Sequence, residues 1–168
     1  MPTSKTDIKS KEARKRSILK KKPVKLPSVV NGVKISDIPE KTKLRLKILK
    51  KELKVYQGEK LYCPSLRAHV LITGNSVAET SYHASHSVNS TVAALNLKQI
   101  LKNARLLKTT PAKDNGRQKS MDIKQQKILF CPLSGFGIAK ITVGEMNKGG
   151  MVHYCITSIT LEKYENEE

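Results

Sequence analysis

Tryptophan is absent from this 168-residue chain, and aromatic residues are scarce, with two Phe and five Tyr. Hydrophobic residues make up 38% and charged residues 27%, which is apolar material for one core and not for the whole length, so one domain plus a tail is expected. Cysteine is nearly absent as well. Cys63, Cys131 and Cys155 are far apart, with no C-x-x-C pair, which excludes a disulfide framework and a paired-cysteine zinc site and fits a reducing cytoplasm. No apolar run approaches the ~18 residues that a membrane-spanning helix needs. The basic N-terminus lacks a signal-peptide core, because Ser17-Ile18-Leu19 runs directly into Lys20-Lys21-Lys22.

Acidic residues are outnumbered 14 to 32, for a net charge of +18. That excess excludes a basic partner and favours an acidic one. Nucleic acid is the first choice, since neutralising phosphates releases counterions, although an anionic membrane surface meets the same electrostatics. Of the cations only six are Arg, which argues against bidentate base reading and for diffuse phosphate attraction. The charge is lopsided: residues 1–60 hold 19 basic and 6 acidic groups, whereas 61–168 hold 13 and 8.

Residues 1–27 read as a basic, flexible arm rich in Lys, Ser and Thr, with Arg14, Lys15, Arg16, Lys20, Lys21 and Lys22 as candidate nucleic-acid contacts. Residues 28–163 form the expected domain, and 164–168 an acidic tail. Leu46, Leu49, Leu53 and Tyr56 predict a helix starting at Asp37 or Pro39 and ending before Gly58, although Leu44, Leu46 and Ile48 also alternate as a strand would. Leu66–Thr73 reads as a strand closed by Gly74-Asn75, and Thr80–Asn89 as a polar segment. Ser90 and Asn96 are candidate caps for two short helices, through Leu95 and over Leu97–Asn103. Residues 111–122, with Pro and Asp-Asn-Gly, read as a mobile loop. Three strands follow, around 127–133, 137–144 and 150–161, in an antiparallel meander turned at Asn147-Lys148-Gly149-Gly150.

Pairing Asn147 with Gly150 sets Val143 opposite Tyr154, Ile141 opposite Ile156 and Ala139 opposite Ser158 on a core face. The other face then carries Lys140 opposite Thr157, Thr142 opposite Cys155 and Gly144 opposite His153. This polar strip has a counterpart in His83 and His86, two of only four histidines. Histidine exchanges protons near neutrality, as metal-free RNA cleavage requires: one group takes the 2′-hydroxyl proton, another protonates the leaving 5′-oxygen, and a cation such as Lys140 stabilises the phosphorane. A zinc site from His83, His86 and His153 or Cys155 lacks the H-x-x-x-H spacing, and no G-x-S-x-G elbow supports a serine nucleophile. Leu133–Gly137 joins two strands without the helix of a phosphate-binding loop.

Ser81-Tyr82-His83-Ala84-Ser85, then Ser90–Leu95 with Leu97, Ile100, Leu101, Asn103 and Ala104, then Gly137, Ile141, Val143, Gly144 and His153-Tyr154-Cys155-Ile156, together resemble the large polyvalent protein-associated domains. These modules of phages and conjugative elements are grouped with the barnase/EndoU/colicin/RelE nuclease superfamily, and the likeness covers roughly residues 30–162. It implies an α+β fold, N-terminal helices followed by a four-stranded antiparallel sheet, and metal-independent ribonuclease activity without a cofactor. By position the implied catalytic residues are His83, Lys140 and Thr157, with His86 and His153 behind them; the later strands lack the Arg and Glu of a barnase-like site. RNA is the implied ligand ahead of DNA, a non-catalytic RNA- or DNA-binding module is the alternative, and no immunity or antitoxin partner can be read.

Overall fold

The computed structural model describes residues 5–112 and 122–167, with side chains from Lys9 onward. Most of the loop expected over 111–122 lies outside the described residues. Helix α1 (Lys5–Lys20) is followed by a small hairpin, β1 (Val29–Val30) and β2 (Val33–Lys34), whose Asn31-Gly32 turn has φ of 50° and 79°. Both residues sit in the left-handed region that such two-residue turns require. Then come α2 (Thr42–Leu53), strands β3 (Lys60–Cys63) and β4 (Ala68–Leu71), and helices α3 (Gly74–Ala84), α4 (Val88–Leu95) and α5 (Leu97–Asn103). Four longer strands, β5 (Arg105–Pro111), β6 (Ile123–Leu133), β7 (Gly137–Met146) and β8 (Met151–Ile159), lead to a short helix, α6 (Leu161–Glu165).

The sheet is mixed and six-stranded, in the order β3-β4-β8-β7-β6-β5, where a four-stranded antiparallel sheet was expected. The expected three-strand meander is inside it as β6 to β8, and β5, which was not expected, pairs with β6. The addition is the β3–β4 pair, which joins through a parallel contact of Val70 and Leu71 with Met151 and Val152 of β8. Its alternation explains the docking: Leu61, Cys63 and Val70 point into the core while Lys60, Tyr62 and His69 stay exposed, so the pair buries one face only by extending a larger sheet.

Both faces of the sheet's centre are covered. On one, Leu129, Cys131, Ala139, Ile141, Val143 and Ile156 meet Leu49, Leu53, Val92, Leu95 and Leu101 from the helices between β2 and β5. On the other, Ile128, Phe130 and Ile138 meet Ile18 of α1 and Tyr164 of α6. The segment expected to be a flexible arm is thus partly a docked helix. Ile18 is 2% exposed, Leu26 joins the main core, and Val24 bridges to Leu133. The expected acidic tail is likewise anchored: Tyr164 is fully buried, stacks edge-on against Phe130 at 4.8 Å, and donates its hydroxyl to the Lys15 carbonyl at 3.0 Å.

Residue chemistry accounts for two further departures. Thr73 and Ser76 form a reciprocal capping box, bonding each other's backbone N–H at 3.1 and 3.0 Å, and so start α3 where a strand end and a polar segment were expected. Ser87, not Ser90, caps α4, accepting from the Ser90 N–H at 3.0 Å; the Ser90 side chain is buried and accepts from the Ser158 N–H at 2.9 Å. Asn96 does begin α5 over Leu97–Asn103, but its amide donates to Val92 O at 2.8 Å instead of capping.

Candidate functional site

Lys140 and Thr157 are cross-strand partners, as are Thr142 and Cys155, Ile141 and Ile156, and Ala139 and Ser158, as the sequence pattern implies. Nearer the turn the register shifts. Val143 faces His153 and Gly144 faces Val152, because β8 carries one more residue than β7 between the Thr142–Cys155 and Val143–His153 pairs. The bulge turns His153 off the Lys140 face and into the seam under α3, where it is 1% exposed. There its Nε2 lies 2.7 Å from Thr80 Oγ1, and Ser76 donates to its backbone carbonyl. Burial holds the ring's pKa down at about 3, so it is neutral at physiological pH.

The remaining candidates do not converge either. His83 and His86 are exposed at the end of α3, where His83 pairs with Glu79 at 3.1 Å and both rings contact Tyr82 edge-on. Lys140 sits on the opposite side of the sheet, opposite Phe130 in register, and donates to Glu167 at 2.7 Å. Glu167 also approaches Lys108 at 3.6 Å. Partial burial would raise the Glu167 pKa, but the hydrogen bond from Lys140 and the charges of both lysines hold it below the usual carboxylate range. The cation expected to stabilise a phosphorane is therefore neutralised by the chain itself, with the sheet between it and His83. Thiol chemistry is not offered in the core: Cys63 and Cys131 are buried, and burial pushes Cys131 up to about 11. Among the described residues no group of three or more His, Cys, Asp or Glu could hold a metal ion.

The six basic candidates on and after α1 divide by geometry. Arg14 donates to Leu107 O at 3.2 Å, Lys15 to Glu165 O at 3.0 Å and Lys21 to Asn103 O at 2.8 Å, so these three fasten α1 to β5, α6 and α5. Arg16, Lys20 and Lys22 are exposed. Docking makes α1 one wall of a cleft of about 420 Å³, closed on the other side by the turn at Pro64–Leu66, the end of α5 and the start of β5. Arg14, Lys21, Lys102 and Arg105 line it together with Ser17 and Ser65, and among the described residues no carboxylate does. A second cleft, of about 650 Å³, continues from it across Pro64 and Lys102. Its lining includes Lys60, Lys98 and Lys102, with Glu59 the one carboxylate among the described residues, and the rings of Tyr62 and His69.

Sequence reasoning missed this face. Lys98 and Lys102 stand four apart, on one side of α5, and Lys60 and Tyr62 two apart, on one side of β3. Those spacings were legible once α5 and β3 were known. That the two sides meet around Pro64 was not, because it depends on α5 packing against a strand from far earlier in the chain.

The match that decides the family spans α2 to α5 and most of the sheet. Residues 39–154 fit the family model of large polyvalent protein-associated domain 3. The chain belongs to that family. Its matched region takes in α2 to α5, the Lys98/Lys102 face and Tyr62–His69, and leaves α1 outside. No curated protein and no solved structure matches the chain. Among the described residues no helix is long and apolar enough to cross a membrane.

Proposed function

We propose that this large polyvalent protein-associated domain is a nucleic-acid-binding module of a mobile genetic element, one that holds a phosphate backbone along the two joined clefts. The observation that carries the reading is the run of Arg14, Lys21, Arg105, Lys102, Lys98 and Lys60 around a continuous recess that, among the described residues, admits a single carboxylate, Glu59. Phosphates entering it release counterions, and the recess keeps the cations together without cancelling them. Exposed Arg16, Lys20 and Lys22 extend the positive field beyond the α1 wall. The succession of helices and then β5 to β8 supports kinship of the scaffold with the nuclease superfamily. Cleavage by His83 with Lys140 and Thr157 is not favoured, since those groups lie on opposite sides of the sheet and Glu167 holds Lys140. RNA is the first ligand to test.

Fluorescence anisotropy with a labelled RNA oligonucleotide separates a site from general basicity. Lys98→Gln/Lys102→Gln/Arg105→Gln is expected to weaken binding at least tenfold. Lys43→Gln/Lys47→Gln/Lys50→Gln, on the exposed side of α2 and with the same loss of charge, is expected to cost no more than about threefold. Equal losses would reduce the interaction to undirected electrostatics and refute the proposed site.

A further inference from the structure

Tyr62 is 51% exposed in a protein with few aromatic residues, and its ring centroid lies 5.1 Å from that of His69, tilted by 54°. The two are cross-strand partners on the exposed side of the β3–β4 pair, so backbone hydrogen bonding fixes their spacing. Neither ring contributes to the core, and both line the larger cleft beside Lys60, Lys98 and Lys102. An exposed aromatic ring bordered by ammonium groups, with a second ring tilted against it, is what a nucleotide needs, a π-face for the base and cations for the phosphates on either side.

The other exposed aromatic group, Tyr82 with His83 and His86, has none of this setting: it lines neither of the two joined clefts, and the charged group paired with His83 is the carboxylate of Glu79. The contrast separates a ring pair placed among cations from one that merely covers the end of a helix.

We infer that Tyr62 and His69 form a stacking platform for an unpaired base, so that the ligand of the joined clefts is single-stranded nucleic acid. The inference rests on the phosphate-binding reading above. A strand enters with one base against the Tyr62–His69 pair and its phosphates along Lys98, Lys102 and, beyond Pro64, Arg105. A duplex can offer phosphates to the same cations, but its bases are stacked on one another and closed to the platform. Single strands are therefore preferred over duplex, and the preference resides in the rings.

The test titrates the full chain with single-stranded RNA, single-stranded DNA of the same sequence, the matching duplex, and a single-stranded abasic chain of equal length. The wild type is expected to prefer both single strands to the duplex and to the abasic chain by about tenfold, and Tyr62→Ala to remove most of that preference while leaving abasic-chain binding within twofold. Tyr62→Phe keeps the ring and is expected to retain it. A 2-aminopurine placed along the strand is expected to be quenched on binding to wild type and not to Tyr62→Ala. If Tyr62→Ala binds single strands as the wild type does, or if abasic and normal strands bind equally, the platform is refuted while phosphate binding stands. If Lys98→Gln/Lys102→Gln/Arg105→Gln also binds every probe unchanged, the underlying reading falls with it.

Discussion

At the scale of single residues, the extra position on β8 decides the fate of His153. Without it the ring would stand on the Lys140 face; with it the ring is sealed beneath α3, with Nε2 against Thr80 and Nδ1 without a hydrogen-bond partner. A buried imidazole of this kind resists protonation, which fixes the sign of its effect on stability. In the unfolded chain its pKa is near 6.5 and in the folded one about 3. Above pH ~6.5 neither state carries the proton and the group contributes no slope. Between ~6.5 and ~3 the unfolded state takes up a proton that the folded state refuses, so stability falls as pH falls, by at most about 1.4 kcal/mol per pH unit. Urea unfolding at pH 7 and pH 5 is expected to show a larger loss for wild type than for His153→Gln; parallel losses in the two proteins would show that His153 is not held neutral. Part of this was readable in advance. The pairings of Lys140 with Thr157 and of Thr142 with Cys155 follow from strict alternation and hold. The side taken by His153 did not follow, because one extra residue reverses alternation and leaves no mark on the pattern of apolar residues.

At the scale of elements, α1 and α6 hold each other. Tyr164 donates to the Lys15 carbonyl, the Lys15 ammonium donates to Glu165 O, and Ile18 lies beneath them against the outer face of the sheet. Ile18→Ala is expected to cost about 2–5 kcal/mol if α1 unfolds with the rest of the domain. Limited trypsin digestion gives the companion measurement: in wild type the sites at Arg14 and Lys15 are expected to be cut slowly, and in Tyr164→Ala early. Rapid cutting of wild type there would return α1 to the status of a free arm. The arm reading came from composition: most α1 residues are polar, and among its described side chains Ile18 is the one buried apolar group. The same cause hid α3, whose sheet side is Ser76, Val77, Thr80, Ser81 and Ala84, small and mostly polar residues that give no 3.6-residue apolar period. Helix α5 and strands β6 to β8 were legible because Leu, Ile and Val supply most of their buried apolar positions, whereas β5, with Leu107 its one buried residue, was not read as a strand.

At the scale of the whole molecule, the charge excess divides differently from the way the sequence alone implies. Half of the six named N-terminal cations bond to backbone carbonyls, and the helix bearing two of them forms one wall of a basic recess completed by Lys102 and Arg105 from α5 and β5. The positive field thus belongs to the domain surface, in a fold that belongs to the large polyvalent protein-associated domain 3 family. The catalytic constellation drawn from residue types is divided between two sides of a sheet, whereas the clefts bring together cations from segments that no local pattern connects. The most direct measurement is the dependence of the binding constant for single-stranded RNA on salt, as a log–log slope, for wild type, for Lys98→Gln/Lys102→Gln/Arg105→Gln and for the α2 triple variant. Each lost phosphate contact removes about 0.7 from the slope on a single strand, so the cleft variant is expected to be shallower than wild type by about 2 and the α2 variant to match wild type. A slope unchanged in the cleft variant, or lowered equally in both, would contradict the account.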